Sequence, residues 1–512
     1  MTRTRGIHIA ATLAMIILAA APFLQTLGFD LVWDDAALIS RIASVADTQG
    51  IKGLFVSDFR LSADADLGYY RPVTTSSVWL QTASAWRSSD DTARARAARS
   101  LHAGNLIFHC INSLLVWLVL RRVVGPGLAA WLGAALFAVH PVHVEAVAFV
   151  SARTDLLAAM FTLASWWCWL ESRRAGGARR TVSLALGGLL ALFGVLAKEQ
   201  VLLFPCVLVV WSLVPDANTQ SPWWKRNRAW LACWMAAVGL ALWLRMGVAH
   251  VALGTSAAGE TTGSVAWFIR LGLPALALYL KLWFLPWPLR GYYTSYELAW
   301  SLALASGVIA TAALVTLAVR RGRGRQAFAA LGFTIIFLLP VLHLVPLHGA
   351  AAAERFFYLP SVGMTMLTAI ALISLEHQKM WRIVSRAAMV AAVAAGLVAS
   401  TLGARTWAND ARLFARLVVV SPHAPGPHNA FAVILARRGD YAQAERECRE
   451  AIRLLPGYAN AHLTLGRVLA LTGDMAGARR EAEILDGLDP ALARQFHSEL
   501  ARYPQGDTTP TH

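Results

Sequence analysis

Two adjacent aspartates, Asp34 and Asp35, stand in the stretch FDLVWDDAALIS (residues 29–40), a few residues after the first long apolar run. An aspartate at a loop-to-helix junction accepts backbone N–H hydrogen bonds, so a helix cap is one interpretation. A carboxylate beside a membrane can also take the proton of an attacking hydroxyl as a general base. The pair therefore has two interpretations, and its surroundings must separate them.

A second group of polar residues lies in the stretch AVHPVHVEAVAFVSARTDLLA, between two apolar runs. It carries His140, His143, Glu145, Arg153 and Asp155. His140, His143 and Glu145 are of the types that bind zinc, so a metal site is one interpretation. Their spacing matches no HExxH arrangement, and a hydrogen-bonded cluster that holds an external turn is the other interpretation.

Three further stretches carry charge next to apolar runs. The stretch AKEQVLLFP contains Lys198, Glu199 and Gln200; AERFFYLPSVG contains Glu354, Arg355 and Tyr358; and GYYRPVTTSSVWL contains Arg71. A lysine can meet a phosphate as a point charge. Solvated turn charges, interfacial anchoring and an ordinary surface role are the alternatives for these residues.

Together, these acids and cations predict a cavity beside the lipid that takes an amphiphile with a phosphate head, because ionisable groups near membrane depth are costly and mark function. A base next to a lipid-borne phosphate indicates glycosyl transfer from a polyprenyl-phosphate sugar. One carboxylate would take the proton of the acceptor hydroxyl, and cations would stabilise the departing phosphate. Lys198 and Arg355 are the first candidates for these cations, and Arg71 is the third.

The composition identifies the elements that must position these residues. The chain has 512 residues, of which 57% are hydrophobic and 15% charged, whereas soluble domains carry about 25% charge. The net charge of +16 falls in short clusters between apolar runs, as the positive-inside rule produces. The sequence has no basic stripe with stacking aromatics of the kind that binds nucleic acid. Its five isolated cysteines form no recognisable disulfide framework.

Runs of about 20 apolar residues predict membrane spans. They lie near residues 8–27, 102–120, 128–141, 154–171, 181–197, 200–214, 229–247, 267–285, 301–319, 327–346, 357–375 and 382–404. If the basic clusters are cytoplasmic, the runs 267–285 and 301–319 cannot both cross, and we expect 267–285 to be interfacial or re-entrant. About eleven spans remain, with a cytoplasmic N-terminus and a large first external loop, 28–101.

The C-terminal part repeats with a period of about 34 residues, which is the period of the tetratricopeptide repeat (TPR). Gly439 and Gly473, Ala444 and Ala478, and Pro456 and Pro490 are the matching pairs. The predicted domains are a membrane domain (1–405), a linker or degenerate repeat (406–424), TPR repeats (425–458 and 459–492) with a capping helix to 503, and a disordered tail (504–512). Stacked repeats offer a concave surface for peptides.

The motifs VWDDAALIS, YYRPVTTSSVWL, LHAGNLIFHCINSLLVWLVL, HPVHVEAVAFVSARTDLLAAMF, AKEQ and AERFFYLPSVGM, together with the TPR tail, resemble the transmembrane and TPR-repeat-containing protein O-mannosyltransferases and their bacterial relatives. The resemblance runs collinearly over about residues 28–490. It implies an all-α, polytopic membrane bundle of the GT-C glycosyltransferase type. It also implies a polyprenyl-phosphate-linked sugar donor and an acidic motif in the first external loop.

The resemblance also assigns residues. It implies that Asp34 or Asp35 is the catalytic base and that Glu145 is the acid of the second external motif. Gln200 completes the matched KEQ turn. The residues predicted to contact substrate or phosphate are Arg71, Glu145, Arg153, Asp155, Lys198, Glu199, Glu354, Arg355 and Tyr358. The requirement for a divalent cation is left open, with His140, His143 and Glu145 as the candidate ligands.

The predicted function is transfer of a mannose-like hexose to a hydroxyl of a protein or glycan acceptor on the external face, with the TPR repeats as one route to a protein acceptor. Five lysines against 41 arginines favour a bacterial source. That places the chain in an inner membrane with a periplasmic TPR domain, and leaves the donor sugar and the acceptor open. A non-catalytic TPR scaffold and a transporter of lipid-linked sugars are the alternatives.

Overall fold

The computed structural model describes residues 2–56, 70–83, 90–212, 214, 223–249, 265–295, 298, 301–343 and 351–502. The predicted disordered tail, 504–512, lies outside these residues, as do parts of the predicted external loops. The chain divides into two compact units. Unit 1 comprises Met1–Gly291 and Leu298–Asn409, and unit 2 comprises Tyr292–Glu297 and Asp410–His512.

Within the described residues, unit 1 consists of helices. They are α1 (Thr2–Ala20), α2 (Asp35–Val56), α3 (Pro72–Thr82), α4 (Asp91–Val123), α5 (Leu128–Val139), α6 (Val144–Ala148), α7 (Arg153–Ser172), α8 (Gly177–Ala197), α9 (Phe204–Ser212), α10 (Trp223–Trp243), α11 (Val265–Trp267), α12 (Leu273–Phe284), α13 (Leu302–Arg320), α14 (Gly324–Leu338), α15 (Ser361–Ser374) and α16 (Lys379–Ala404). Short 3₁₀ turns include Pro141–His143, Val150–Ala152, Glu199–Leu203 and Glu354–Phe357, and π-helical turns cover Leu244–Val248 and Phe268–Gly272.

Eight helices of the described residues are long and apolar enough to cross a membrane, or nine if a bent pair counts as one span. The bent pair joins α5 to Pro141–Ala148 at an angle of 46°, where Pro141 prevents α5 from continuing. The all-α membrane architecture is confirmed, and the count of eleven spans is not. Val265–Phe284 and Leu302–Arg320 are both long enough to cross, so an interfacial position for 267–285 stays a prediction.

Helix α4 carries a buried polar stripe along one face. Its members are His102, Asn105, His109 and Asn112, and all four are fully buried. Spacings of three and four residues place side chains on the same face of a helix. The stripe therefore points into the bundle, and its contacts determine how the neighbouring turns are held.

Unit 2 is a series of helical hairpins that follows the predicted repeat. Its helices are α17 (Asp410–Val420), α18 (Pro425–Arg437), α19 (Tyr441–Leu454), α20 (Ala459–Thr472), α21 (Met475–Leu488) and α22 (Pro490–Leu500). Gly439 and Gly473 follow α18 and α20 with φ of 81° and 91°, a left-handed conformation that glycine adopts at little cost.

Equivalent side-chain hydrogen bonds recur in unit 2 at the same 34-residue spacing as the sequence repeat. His428 Nδ1 lies 2.6 Å from Glu447 Oε2, and His462 Nδ1 lies 2.6 Å from Glu481 Oε2. Each histidine also contacts a proline carbonyl through Nε2, at Pro422 and Pro456 respectively. Pro422 occupies the position of Pro456 one period earlier, and a degenerate repeat in residues 406–424 stays a prediction beside the linker.

Gly307 allows α12 and α13 to approach closely, since a Cβ there would overlap the backbone nitrogen and Cα of Lys281. We expect Gly307→Leu to destabilise unit 1 by about 3 kcal/mol, because an overpacked helix contact forces the backbones apart. The measurement is the thermal unfolding of the purified protein in detergent. Gly239→Leu is the matched control, since a Cβ at Gly239 meets nothing within 4 Å. Equal melting temperatures for the two variants would contradict this packing.

Candidate functional site

The two adjacent aspartates have different environments. Asp35 is fully buried at the start of α2. Its Oδ2 accepts the Val32 N–H (3.2 Å), and its Oδ1 accepts the Ser151 N–H (2.8 Å) and the Ser151 hydroxyl (2.6 Å). Asp35 therefore fastens the start of the first loop to the Val150–Ala152 turn. Burial raises the pKa of Asp35 to about 7, although these hydrogen bonds act to lower it.

Asp34 is partly exposed on the same turn. Burial by itself lowers the pKa of the Arg355 guanidinium, but the carboxylates of Glu145 and Asp155 raise it above its ordinary value. Asp34 adds to the same effect, so its carboxylate lies within electrostatic range of Arg355. Of the two aspartates, Asp34 is thus the one with access to solvent beside a cation.

Glu145 on α6 and Arg355 on the Glu354–Phe357 turn form an ion pair between segments that lie far apart in the sequence. Glu145 is buried, and its Oε2 accepts the Arg355 backbone N–H at 2.9 Å. The Arg355 guanidinium pairs with the other oxygen of the same carboxylate. The guanidinium also lies over the rings of Phe356 (4.8 Å) and Phe149 (6.0 Å).

Glu354 has a different role from its neighbour. Its two carboxylate oxygens accept the backbone N–H groups of Arg290 (2.6 Å) and Gly291 (2.8 Å). Carboxylates that accept backbone N–H bonds hold loops firmly, because such bonds are charge-assisted. Glu354 thus holds the chain that follows α12.

The turn between α8 and α9 carries the next two pairs. Lys198 Nζ lies 2.5 Å from Asp155 Oδ1 and 5.1 Å from the centre of the Phe356 ring. Arg71 donates to Glu199 Oε2 from Nε (3.2 Å) and Nη2 (3.0 Å). Arg245, on the π-helical turn after α10, lies 3.4 Å from the other oxygen of Glu199. Gln200 turns away and donates to the Phe337 carbonyl at 2.5 Å.

Arg153 and Tyr358 lie in the interior. The Arg153 guanidinium donates to Asn105 Oδ1 (2.9 Å), Gln81 Oε1 (2.6 Å) and the Leu101 carbonyl (2.7 Å). Arg153 is fully buried. The Tyr358 hydroxyl, also fully buried, contacts side chains of the α4 stripe rather than the membrane interface. The structure does not bring either residue to an open face.

The candidate metal ligands do not converge. Among the described residues, no group of three or more His, Cys, Asp or Glu side chains is placed to hold a metal ion. His140 Nε2 donates to the Trp283 carbonyl at 3.0 Å, and its ring stacks on Trp283. His143 contacts the Phe137 carbonyl and the Ser361 hydroxyl, and Glu145 pairs with Arg355.

Several residues at this site were not found from the sequence. They are Ser151, Arg245 and the α4 stripe. Polar residues at helical spacing inside the run LHAGNLIFHCINSLLVW were a usable signal for the stripe. Ser151 and Arg245 gave none, because a serine in a turn and an arginine at a helix end have many ordinary roles.

Comparison with known proteins gives relatives for both parts of the chain. Residues 435–500 match the family model for the tetratricopeptide repeat. A protein O-mannosyl-transferase of Caenorhabditis elegans is 27% identical over 479 residues, covering 89% of this chain and 64% of the relative. Protein O-mannosyl-transferase Tmtc3 of Drosophila melanogaster is 26% identical over 451 residues, covering 72% of this chain and 47% of the relative.

Among solved structures, an oligosaccharyltransferase of Archaeoglobus fulgidus, crystallised with a tethered acceptor peptide, superposes with a TM-score of 0.46 at 14% identity. The superposition covers 78% of this chain and 55% of that one. The chain is a polytopic membrane protein with a C-terminal TPR segment. Its resemblance to the protein O-mannosyl-transferases is confirmed, and it spans less than two thirds of the length of these curated relatives.

The raised pKa of Asp35 predicts a pH dependence of stability. The carboxyl titrates near 3.8 when unfolded and at about 7 when folded, so the folded state binds more protons between these values. The free energy of unfolding therefore falls as pH rises from about 4 to about 7. Asp35→Asn, which cannot ionise, should flatten this part of the profile. Thermal unfolding of both proteins between about pH 4 and 8 measures it, and parallel profiles would show that Asp35 does not titrate in this range.

Proposed function

We propose that this protein transfers a hexose from a polyprenyl-phosphate-linked donor to a hydroxyl of a protein or glycan acceptor on the external face of the membrane. The observation that carries the proposal is that Asp34 and Asp35 have different environments. One carboxylate is fastened in the interior by three hydrogen bonds, and the other is partly exposed beside Arg355. The names of the curated relatives support sugar transfer as the reaction class.

Asp34 is the proposed general base. A base must reach the proton that it removes, so access comes before pKa in choosing it. The carboxylate of Asp35 is fully buried beside Val32 and Ser151, where a substrate hydroxyl cannot reach it, whereas Asp34 is partly exposed. The role of Asp35 is to fix the turn that presents Asp34.

Arg355 is the proposed primary cation for the phosphate. Its side chain is 24% exposed, whereas Arg71 is 13% exposed and Lys198 8%. A guanidinium presents a planar fork of donors that suits a phosphate. Each of the three cations is already paired with a carboxylate, which holds it in place before the substrate arrives. Lys198 and Arg71 would then add charge from the adjacent turn.

An apolar cavity supports a lipid-linked donor. It has a volume of about 470 Å³ and lies in unit 1 between α5, α12, α13, α15 and α16. Trp283, Leu314, Leu372 and Met389 contribute to its wall, and His140 lies at one side. A cavity of this composition suits the hydrocarbon part of an amphiphile.

The proposed step is a displacement at the anomeric carbon. The acceptor oxygen forms a bond to this carbon while the bond from the carbon to the phosphate oxygen breaks. The electron pair of the broken bond stays on the phosphate, which leaves as polyprenyl phosphate beside Arg355. Asp34 takes the proton of the acceptor hydroxyl.

The base assignment predicts a strong effect of Asp34→Asn. We expect transfer of labelled sugar from a polyprenyl-phosphate donor to membrane acceptors to fall by about 10²–10⁴-fold, since general-base catalysis supplies about that factor. The comparison is made at equal levels of folded protein. Asp47→Asn is the control, because Asp47 is an exposed acid on the same helix, α2. Undiminished transfer by Asp34→Asn would exclude Asp34 as the base.

Arg355→Gln should lower transfer by about 10²–10³-fold, the usual cost of losing a group that stabilises developing charge. It should also destabilise the fold, because Glu145 would remain buried without its partner. The double variant Arg355→Gln with Glu145→Gln separates the two effects. It should recover thermal stability without recovering transfer. Recovery of both would show that Arg355 serves only to neutralise Glu145.

A further inference from the structure

Trp33, the residue before Asp34, has an unusual backbone conformation. Its φ is 56°, in the left-handed region, where the Cβ of an L-residue crowds the following carbonyl oxygen. The turn is closed by the Asp35 N–H, which donates to the Val32 carbonyl at 3.1 Å. Turns with positive φ at the second position usually carry glycine or asparagine there. Strain of this kind persists where the surrounding structure enforces it, and it is concentrated at functional sites.

The Trp33 side chain lies on an aromatic surface beside the proposed site. Its ring stacks on Phe149, with centroids 5.9 Å apart and planes at 28°. Phe149 in turn contacts Trp407, with centroids 5.3 Å apart. Phe149 and Trp407 are buried, whereas Trp33 is partly exposed. Trp33 is thus the accessible member of this aromatic group.

The same group connects the proposed base to the proposed phosphate cation. Trp33 is adjacent to Asp34 in the turn, and the Phe149 ring that it stacks on also lies under the Arg355 guanidinium. In the proposed displacement, the anomeric carbon of the hexose must lie between the acceptor hydroxyl at Asp34 and the phosphate at Arg355, so the sugar ring lies beside both residues. Trp33 directly precedes Asp34 in the chain, so its indole lies beside the proposed base.

We propose that the Trp33 indole is the surface on which the hexose ring of the lipid-linked donor stacks; this inference rests on the proposed function. A pyranose has a face of C–H groups that an aromatic ring can cover. Positive charge develops at the anomeric centre as the bond to the leaving group breaks, as it does in glycoside cleavage. A π face attracts such charge, and tryptophan does so most strongly among the aromatic residues. The strained turn presents this face next to the base.

The test uses Trp33→Gly, because glycine adopts a positive φ at little cost and keeps the turn that presents Asp34. We expect the KM for the polyprenyl-phosphate hexose to rise roughly tenfold, because the loss of one aromatic contact weakens binding by about that factor. Inhibition by polyprenyl phosphate, which lacks the sugar, should be unchanged. Trp33→Phe should restore most of the donor KM. Trp381→Ala, at an exposed tryptophan of α16, is the control for loss of an indole.

Three results would overturn the inference. A wild-type donor KM in Trp33→Gly would show that the indole makes no contact with the sugar. Weaker inhibition by polyprenyl phosphate, in step with the KM, would place the contact at the phosphate or lipid. A change confined to the KM for the acceptor would place the acceptor on this surface instead.

Binding separates this inference from the proposed function. Purified wild-type protein in detergent should bind polyprenyl-phosphate hexose more tightly than polyprenyl phosphate, and Trp33→Gly should lose that preference. If the wild type transfers no sugar but shows the preference, the proposed transfer reaction fails while the stacking contact stands. Equal binding of both lipids by the wild type would overturn the contact whatever the transfer assay shows.

Discussion

Polar groups on the backbone must be satisfied inside a membrane protein, and this requirement organises unit 1. A chain that leaves helical geometry within the bundle exposes N–H and C=O groups that lipid cannot satisfy. The α4 stripe supplies partners for them. Asn105 donates to the Phe149 carbonyl (3.1 Å), and His109 Nε2 donates to the Ala138 carbonyl (2.9 Å). The break after α5 is therefore stable because a single long helix presents polar groups along its length.

The stripe also connects turns that are distant in sequence. Tyr358 meets His109 and Asn112 through its hydroxyl, and Arg153 meets Asn105. Helix α6, which carries Glu145, and the turn that carries Arg355 are thus held against α4. Rigid placement of charged groups before a substrate arrives is what electrostatic catalysis requires. Residues of the stripe touch no proposed reacting group, yet they determine the spacing of the groups that do.

The site's acidic and basic residues occur as sequence neighbours with separate tasks. Asp35 fastens its turn, while Asp34 is partly exposed. Glu354 holds the chain after α12, while Arg355 pairs with Glu145. The cause is geometric, since consecutive side chains in a tight turn point in different directions. One of them can be buried and hydrogen-bonded while the other is partly exposed.

The sequence by itself determined the class of the protein, the helical character of every apolar run that the structure describes, and the repeats of unit 2. These depend on local composition and on a short repeat period, so they need no knowledge of distant contacts. The charged motifs could also be recognised from the sequence, because charge next to apolar runs is costly and therefore conspicuous. Only the tertiary structure decided which aspartate is buried, that Arg153 is an interior residue, and which carboxylate each cation pairs with. These outcomes depend on contacts between residues as far apart as Glu145 and Arg355, and the packing of many helices decides such contacts together.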